Sequence, residues 1–149
     1  MSSVKVAAVA TWLAGLSVTG LTIKDLDAIK ENMQIGDWPC LVPHPVNYLT
    51  GLGVVRDSFG RGQDVLTYTL NYRLYFRPVT GVVKFFGPYD ELIDMVVLVI
   101  NKIQDTKILS SIEDITPGIS AVGGVEDAAG NVYHGCDFTF AIREFYETS

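Results

Sequence analysis

Between Val65 and Phe76 the chain alternates without a break: Leu66, Tyr68, Leu70, Tyr72, Leu74 and Phe76 occupy one parity, and Val65, Thr67, Thr69, Asn71, Arg73 and Tyr75 the other. A period of two sustained over this distance admits one local structure, an extended strand with one face in a core and one half-exposed. A strand cannot satisfy its backbone alone, so its neighbours must supply a sheet.

Those neighbours are legible on both sides. Trp38 to Val42 reads as a strand closed by Pro43-His44-Pro45, which forbids helix and keeps the backbone extended. Asn47 to Val55 forms the first arm of a hairpin whose tip, Arg56 to Gln63, is too long for a two-residue turn. Leu21 to Lys24 reads as a short strand after a breaker at Ser17 to Gly20, and Asp25 to Asn32 as a loop or a single helical turn. Downstream, Ile112 to Val125 and Asn131 to Phe145 make a closing hairpin around Asp127-Ala128-Ala129-Gly130. Its last strand puts Val132, His134, Cys136, Phe138, Phe140 and Ile142 on one side.

Two segments have helical periodicity. Near the N-terminus, Ser2 or Ser3 is placed to cap a helix with Val9, Trp12, Leu13 and Leu16 facing inward. Lys5 and the apolar run behind it have the outline of a secretion signal, but Thr11 and Trp12 interrupt the run and no small-x-small cleavage site follows. The run also falls short of the roughly 20 apolar residues that span a bilayer. The second helix starts with Pro88 at its first position and Asp90 and Glu91 in its first turn. Leu92, Val96, Val99 and Ile103 form one stripe with Ile93, Val97 and Ile100 beside it, a face wide enough to require a sheet beneath it. The expected fold is therefore α+β: a mostly antiparallel sheet with long hairpins and two helices packed against it, in a single domain spanning residues 1–149.

Composition narrows the function. With 48% hydrophobic and 19% charged residues, 149 residues suffice for a proper core. A formal net charge of −6 opposes binding to a phosphate backbone, which needs clustered Lys and Arg. Two cysteines, Cys40 and Cys136, are too few for a disulfide framework and suit a reducing compartment.

Catalytic equipment is sparse. There is no nucleophile elbow, P-loop, zinc-protease helix or dinucleotide fingerprint. Cys40, His44, His134 and Cys136 have the residue types of a tetrahedral zinc site, but the apolar context of both cysteines and the prolines around His44 favour buried thiols and ordinary histidines. Asp25 with Asp27, Asp90 with Glu91, Glu113 with Asp114 and Glu126 with Asp127 sit in loops or helix starts, where carboxylates are solvated or capping. Arg56, Phe59 and Arg61 at the hairpin tip read as a contact loop in preference to a phosphate nest, since no helix N-terminus follows them. We expect no catalytic residues, no cofactor and no metal. Val82, Val83, Phe85 and Phe86 lie between two turn signals and read either as a covered edge strand or as a subunit interface.

The whole arrangement resembles the tail terminator, or tail completion, proteins of long-tailed bacteriophages. The resemblance lies in the N-terminal helix, the strand WPCLVP, the alternating strand VLTYTLNYRLYFRP ending in proline, the helix GPYDELIDMVVLVINKI and the closing hairpin ISAVGGVEDAAGNVYHGCDFTFAIREFYE. It covers nearly the whole chain and rests on pattern, with no single diagnostic motif. It implies a structural virion protein of the neck region, assembled in the host cytoplasm. Copies would form a six-fold ring that caps the tail tube protein, ends its polymerisation and docks to the head–tail connector protein.

In that setting DNA passes through the ring without specific binding and no membrane is involved. Asp90, Asp94, Glu126, Asp127 and Glu144 become candidates for an acidic lumen that repels phosphate. Arg56, Phe59 and Arg61 become candidates for the tube or neck contact, and Val82, Val83, Phe85 and Phe86 for the subunit interface. The competing readings are a tail tube or other neck subunit, a small-ligand module with Trp38, Tyr48 and Tyr68 as an aromatic floor, and an enzyme with a polar cleft.

Overall fold

The computed structural model describes residues 6–18, 20–24, 39–44, 47–56, 63–78, 86–106, 112–126 and 132–147. Among these the chain runs α1 (Val6–Ala14), β1 (Thr22–Ile23), β2 (Cys40–Pro43), β3 (Leu49–Arg56), β4 (Gln63–Pro78), α2 (Phe86–Asp105), β5 (Ile112–Glu126) and β6 (Val132–Glu147).

The alternating segment is the central strand β4. It pairs antiparallel with β6 from Gln63 opposite Glu147 to Pro78 opposite Tyr133. Its other side is shared: β3 takes the first half and β2 the second, both antiparallel. Strand β5 pairs with the free side of β6, and β1 joins β2 in parallel. The path is β1-β2-β4-β6-β5 with β3 beside β4. The α+β plan holds, and the sheet is mixed because of the β1–β2 pair.

The parity seen in sequence is the parity of burial. Leu66, Tyr68, Leu70, Tyr72, Leu74 and Phe76 are all buried. They meet Cys136, Phe138, Phe140 and Ile142 of β6, Leu92, Val96, Val99 and Ile103 of α2, and Val9, Leu13 and Leu16 at α1 in one core. Tyr72 packs edge-on to Phe140 with ring centroids 5.3 Å apart. The opposite sheet face has its own small apolar cluster at one end, made by Cys40, Val42, Tyr75, Val125 and Tyr133. This accounts for Tyr75, which sits on the polar parity of β4 and is nevertheless buried.

Two glycines are required by geometry. Gly135 lies where the β4–β6 register shifts between Tyr75 and Arg77, and a Cβ there would overlap the Leu74 carbonyl oxygen. Gly51 has φ +66° at the shift in β3 register between Thr50 and Gly53, a backbone setting that favours glycine.

Three expectations need amendment. Helix α2 begins at Phe86, two residues ahead of Pro88. Pro88 is thus still within the first turn, where its missing N–H would have had no helical acceptor. Phe86 belongs to this helix and not to an edge strand, while Val82, Val83 and Phe85 lie outside the described residues. The stripe of α2 formed by Ile93 and Val97 does not lie on the sheet: both residues are about half exposed.

Candidate functional site

The sheet is larger than the helices that cover it. Strands β4 and β6 have 16 residues each, about 53 Å of extended chain, whereas α2 has 20 residues, about 30 Å, and α1 has 9, about 14 Å. Directly paired residues of neighbouring strands point to the same face, so the register reveals which apolar side chains the helices leave uncovered. Leu49 pairs with Leu70 and Val54 with Leu66, which puts both on the core face of β3, yet both are exposed. Ile119 pairs with Phe138 and Val122 with Cys136, and they too are exposed on the core face, at β5.

The β3 patch contains the most exposed large apolar residue among those described, Leu52, at 64%. Its position follows from the bulge. The register shift between Thr50 and Gly53 leaves Gly51 and Leu52 outside the ladder, and an interrupted ladder of this kind re-aims a side chain. The bulge is held from below: the Asn71 side-chain amide donates to the Asn47 carbonyl at 2.8 Å and to Thr50 Oγ1 at 2.9 Å.

Helix α2 also leaves apolar residues uncovered: Ile93 and Val97 are exposed on one flank and Leu98 on the other, with exposed Asp90, Asp94, Asn101 and Asp105 on the ridge between them. Six consecutive apolar residues, Met95 to Ile100, necessarily wrap the helix on every side. That run is the sequence signal for this surface, and assigning the helix a single sheet-facing side missed it. A cavity of about 230 Å³ adjoins the same helix, lined by Ser17, Val18, Leu98, Asn101, Lys102 and Asp105.

The acidic candidates are distributed differently from the sequence expectation. Asp90 and Asp94 are exposed on α2, and Glu126 is exposed at the end of β5. Asp127 lies outside the described residues. Glu144 cannot line a channel: it is fully buried and its Oε1 accepts the Tyr68 hydroxyl at 3.0 Å. It continues the inward parity of β6 two residues beyond Ile142. Burial, reinforced by this hydrogen bond and the charge of Glu144, raises the Tyr68 pKa well above its ordinary value.

The loop candidates cannot be brought together here. Arg56 closes β3, and Phe59 and Arg61 lie outside the described residues. Of the aromatic-floor residues, Tyr68 is in the core and Tyr48 packs edge-on to Tyr72 at 6.2 Å, while Trp38 lies outside the described residues.

The four zinc-type residues are separated. Cys136 faces the main core through its pairing with Leu74, while Cys40 pairs with Tyr75 and belongs to the cluster on the opposite face. Among the described residues no three or more His, Cys, Asp or Glu side chains are grouped to hold a metal. His44 Nδ1 accepts the Asn47 N–H at 3.1 Å, and partial burial together with nearby Arg73 holds its pKa below the ordinary value against the opposing effect of Asp137. Burial, and then the Asp137 charge, push the Cys136 thiol up to about 12. No helix among the described residues is long and apolar enough to cross a membrane.

No family model matches the chain, and no curated protein matches it.

Proposed function

We propose that this chain is a structural subunit of a long-tailed bacteriophage neck, a tail terminator whose copies close into a ring on the last layer of the tail tube and stop its growth. The observation that carries the reading is the uncovered apolar surface on two outer strands, β3 and β5. A closed ring of more than two copies uses two different patches per subunit, one meeting the other on the next copy. Separate apolar surfaces at opposite sides of one sheet fit that requirement. A single patch would fit a two-fold dimer instead.

The long β4–β6 ladder, paired from Gln63 to Pro78, supports the same reading, because a ring that must stack in register on a tube needs subunits of defined shape. The resemblance of the sequence pattern to tail terminators suggests the biological setting: tube on one face, connector on the other, DNA through the centre. The hairpin tip with Arg56, Phe59 and Arg61 is the contact loop in this scheme, since loops differentiate the two faces of a ring while the sheet is common to both.

The test is a capping assay. Purified chain added to polymerising tail tube subunits shortens the tubes in proportion to its concentration and is found at tube ends. Incorporation along the tube wall would make the chain a tube subunit instead. Tubes of unchanged length carrying none of the chain would remove the proposal.

A further inference from the structure

Asn71 of β4 holds the start of β3 through both its backbone and its side chain. The His44 N–H donates to the Asn71 carbonyl at 2.9 Å, and the Asn71 N–H donates to the Tyr48 carbonyl at 2.8 Å. The Asn71 side-chain amide donates to the Asn47 carbonyl and to Thr50 Oγ1. A fifth bond closes the group: the Asn47 N–H donates to His44 Nδ1 at 3.1 Å. It ties the residue that follows β2 to the residue whose carbonyl Asn71 grips.

Four of these bonds are indifferent to pH near neutrality, and the fifth is not. A backbone N–H can only donate, so His44 Nδ1 presents a lone pair and the imidazole is the neutral tautomer with its hydrogen on Nε2. Protonation places a hydrogen on Nδ1 and sets two donors against each other. The contact is then lost, and Asn47 loses one of the two bonds that position it.

The surroundings keep the imidazole neutral at pH 7. Burial and then the Arg73 charge on β4 hold the His44 pKa below 6.5, while Asp137 on β6 opposes them; among the described residues no group of β1 or β3 contributes. Arg73 and Asp137 are paired with each other across the ladder, so their influences on His44 have opposite sign. A histidine whose folded-state pKa is lowered contributes stability that is present above its unfolded-state pKa and lost as pH falls through the folded value. The acid side of pH 6.5 is therefore where the group opens.

We propose that His44 is an acid-sensitive latch on β3: neutral, it fixes Asn47, and through Asn71 also Thr50 and the Gly51 bulge; protonated, it releases that end of β3 while the β4–β6 ladder stays closed. The strand it governs carries the exposed apolar residues Leu49, Leu52 and Val54. Their presentation thus depends on pH. The inference goes beyond the ring reading and is tested apart from it.

The test is a pH titration of the whole chain by NMR, with amide hydrogen exchange normalised for its intrinsic rate. The His44 imidazole is expected to titrate with a midpoint below 6.5, and the amide signals of Asn47 and of Thr50 to Gly53 to move with the same midpoint. Protection at those amides should fall about tenfold between pH 7.5 and 5.0, a linkage of one pK unit, while Tyr72 and Phe140 in the central ladder keep theirs. His44→Asn, which puts a non-titrating oxygen in the place of Nδ1, should preserve the spectrum at neutral pH and abolish the response. Arg73→Gln should move the midpoint toward neutrality and Asp137→Asn further into acid. A His44 midpoint at or above 6.5, unchanged protection of Asn47 and the bulge, an equal loss across the β4–β6 ladder, or a response that persists in His44→Asn would each overturn the proposal.

Discussion

The hydroxyl of Tyr68 donates to Oε1 of Glu144 across 3.0 Å inside the main core, joining the two longest strands of the sheet. The two residues are diagonal neighbours, since Tyr68 pairs with Ile142 and Leu66 with Glu144. Removing a donor from a buried carboxylate typically costs on the order of 1–3 kcal/mol. Tyr68→Phe should therefore lower the melting temperature by several degrees, at about 2–4 °C per kcal/mol for a chain of this size. Tyr72→Phe, four residues further along the same strand, is the comparison for loss of a core hydroxyl with no carboxylate as its acceptor. A Tyr68→Phe variant as stable as the parent would show that the bond contributes nothing net.

The same pair gives the protein an alkaline limit. The folded-state pKa of Tyr68 is raised above the ordinary value of 10.0, chiefly by burial. A group raised in this way contributes stability that is fully present below the unfolded-state pKa and lost as pH rises past it. Denaturation midpoints should fall progressively above about pH 10, and the fall should be shallower in Tyr68→Phe. Urea titrations at a series of alkaline pH values measure both; equal slopes in the two proteins would contradict the assignment.

This pair also marks where sequence reading succeeds and where it stops. Burial along β4 followed from parity alone, because a half-buried strand writes its orientation into every second residue. The same rule applied to β6 places Glu144 inward, two positions after Ile142, whereas its charge alone points to solvent. Only the diagonal proximity of Tyr68, which depends on register, shows how a carboxylate is accommodated there. The two-residue β1 is too short to announce a parallel partner, so the mixed character of the sheet was not legible. The exposed side of α2 was legible in the run Met95 to Ile100, whose apolar residues cannot all face one sheet.

Gly135 should be intolerant of any side chain. A Cβ would collide with the Leu74 carbonyl oxygen and come within 2.8 Å of Val125 Cγ2, and strands β4 and β6 cannot separate locally without breaking the central ladder. Gly135→Ala should destabilise by more than about 3 kcal/mol, in the range reserved for core overpacking and backbone strain. Gly123→Ala on β5, where nothing lies within 4 Å of the added carbon, is the control and should be nearly neutral. Comparable melting temperatures for the two variants would refute this account of the bulge.

Across the polar face of the same ladder, Arg73 Nε donates to Asp137 Oδ1 at 2.8 Å, and its terminal nitrogen reaches Oδ2 at 3.4 Å. The two residues are directly paired and mostly shielded from solvent. The hydrogen bond to Asp137 raises the Arg73 pKa, with burial opposing it. A two-pronged pair of this kind should be worth about 1 kcal/mol. Asp137→Asn should lose that amount in a denaturant titration at low salt, and a double-mutant cycle with Arg73→Gln should return a coupling of the same size.

Thiol reactivity reports on both sheet faces at once, since Cys40 and Cys136 are buried on opposite sides. Neither should react with a bulky aromatic disulfide reagent in the native protein, and both should react promptly in denaturant. Rapid native-state modification of one cysteine alone would show that its face of the sheet opens independently.

Imaging of the purified chain by negative-stain electron microscopy, at concentrations from micromolar upward, bears most directly on the claim that these copies assemble side by side. Closed rings one layer thick are the predicted result. Particles that stay single at every concentration, both alone and in the presence of tail tubes, would contradict it.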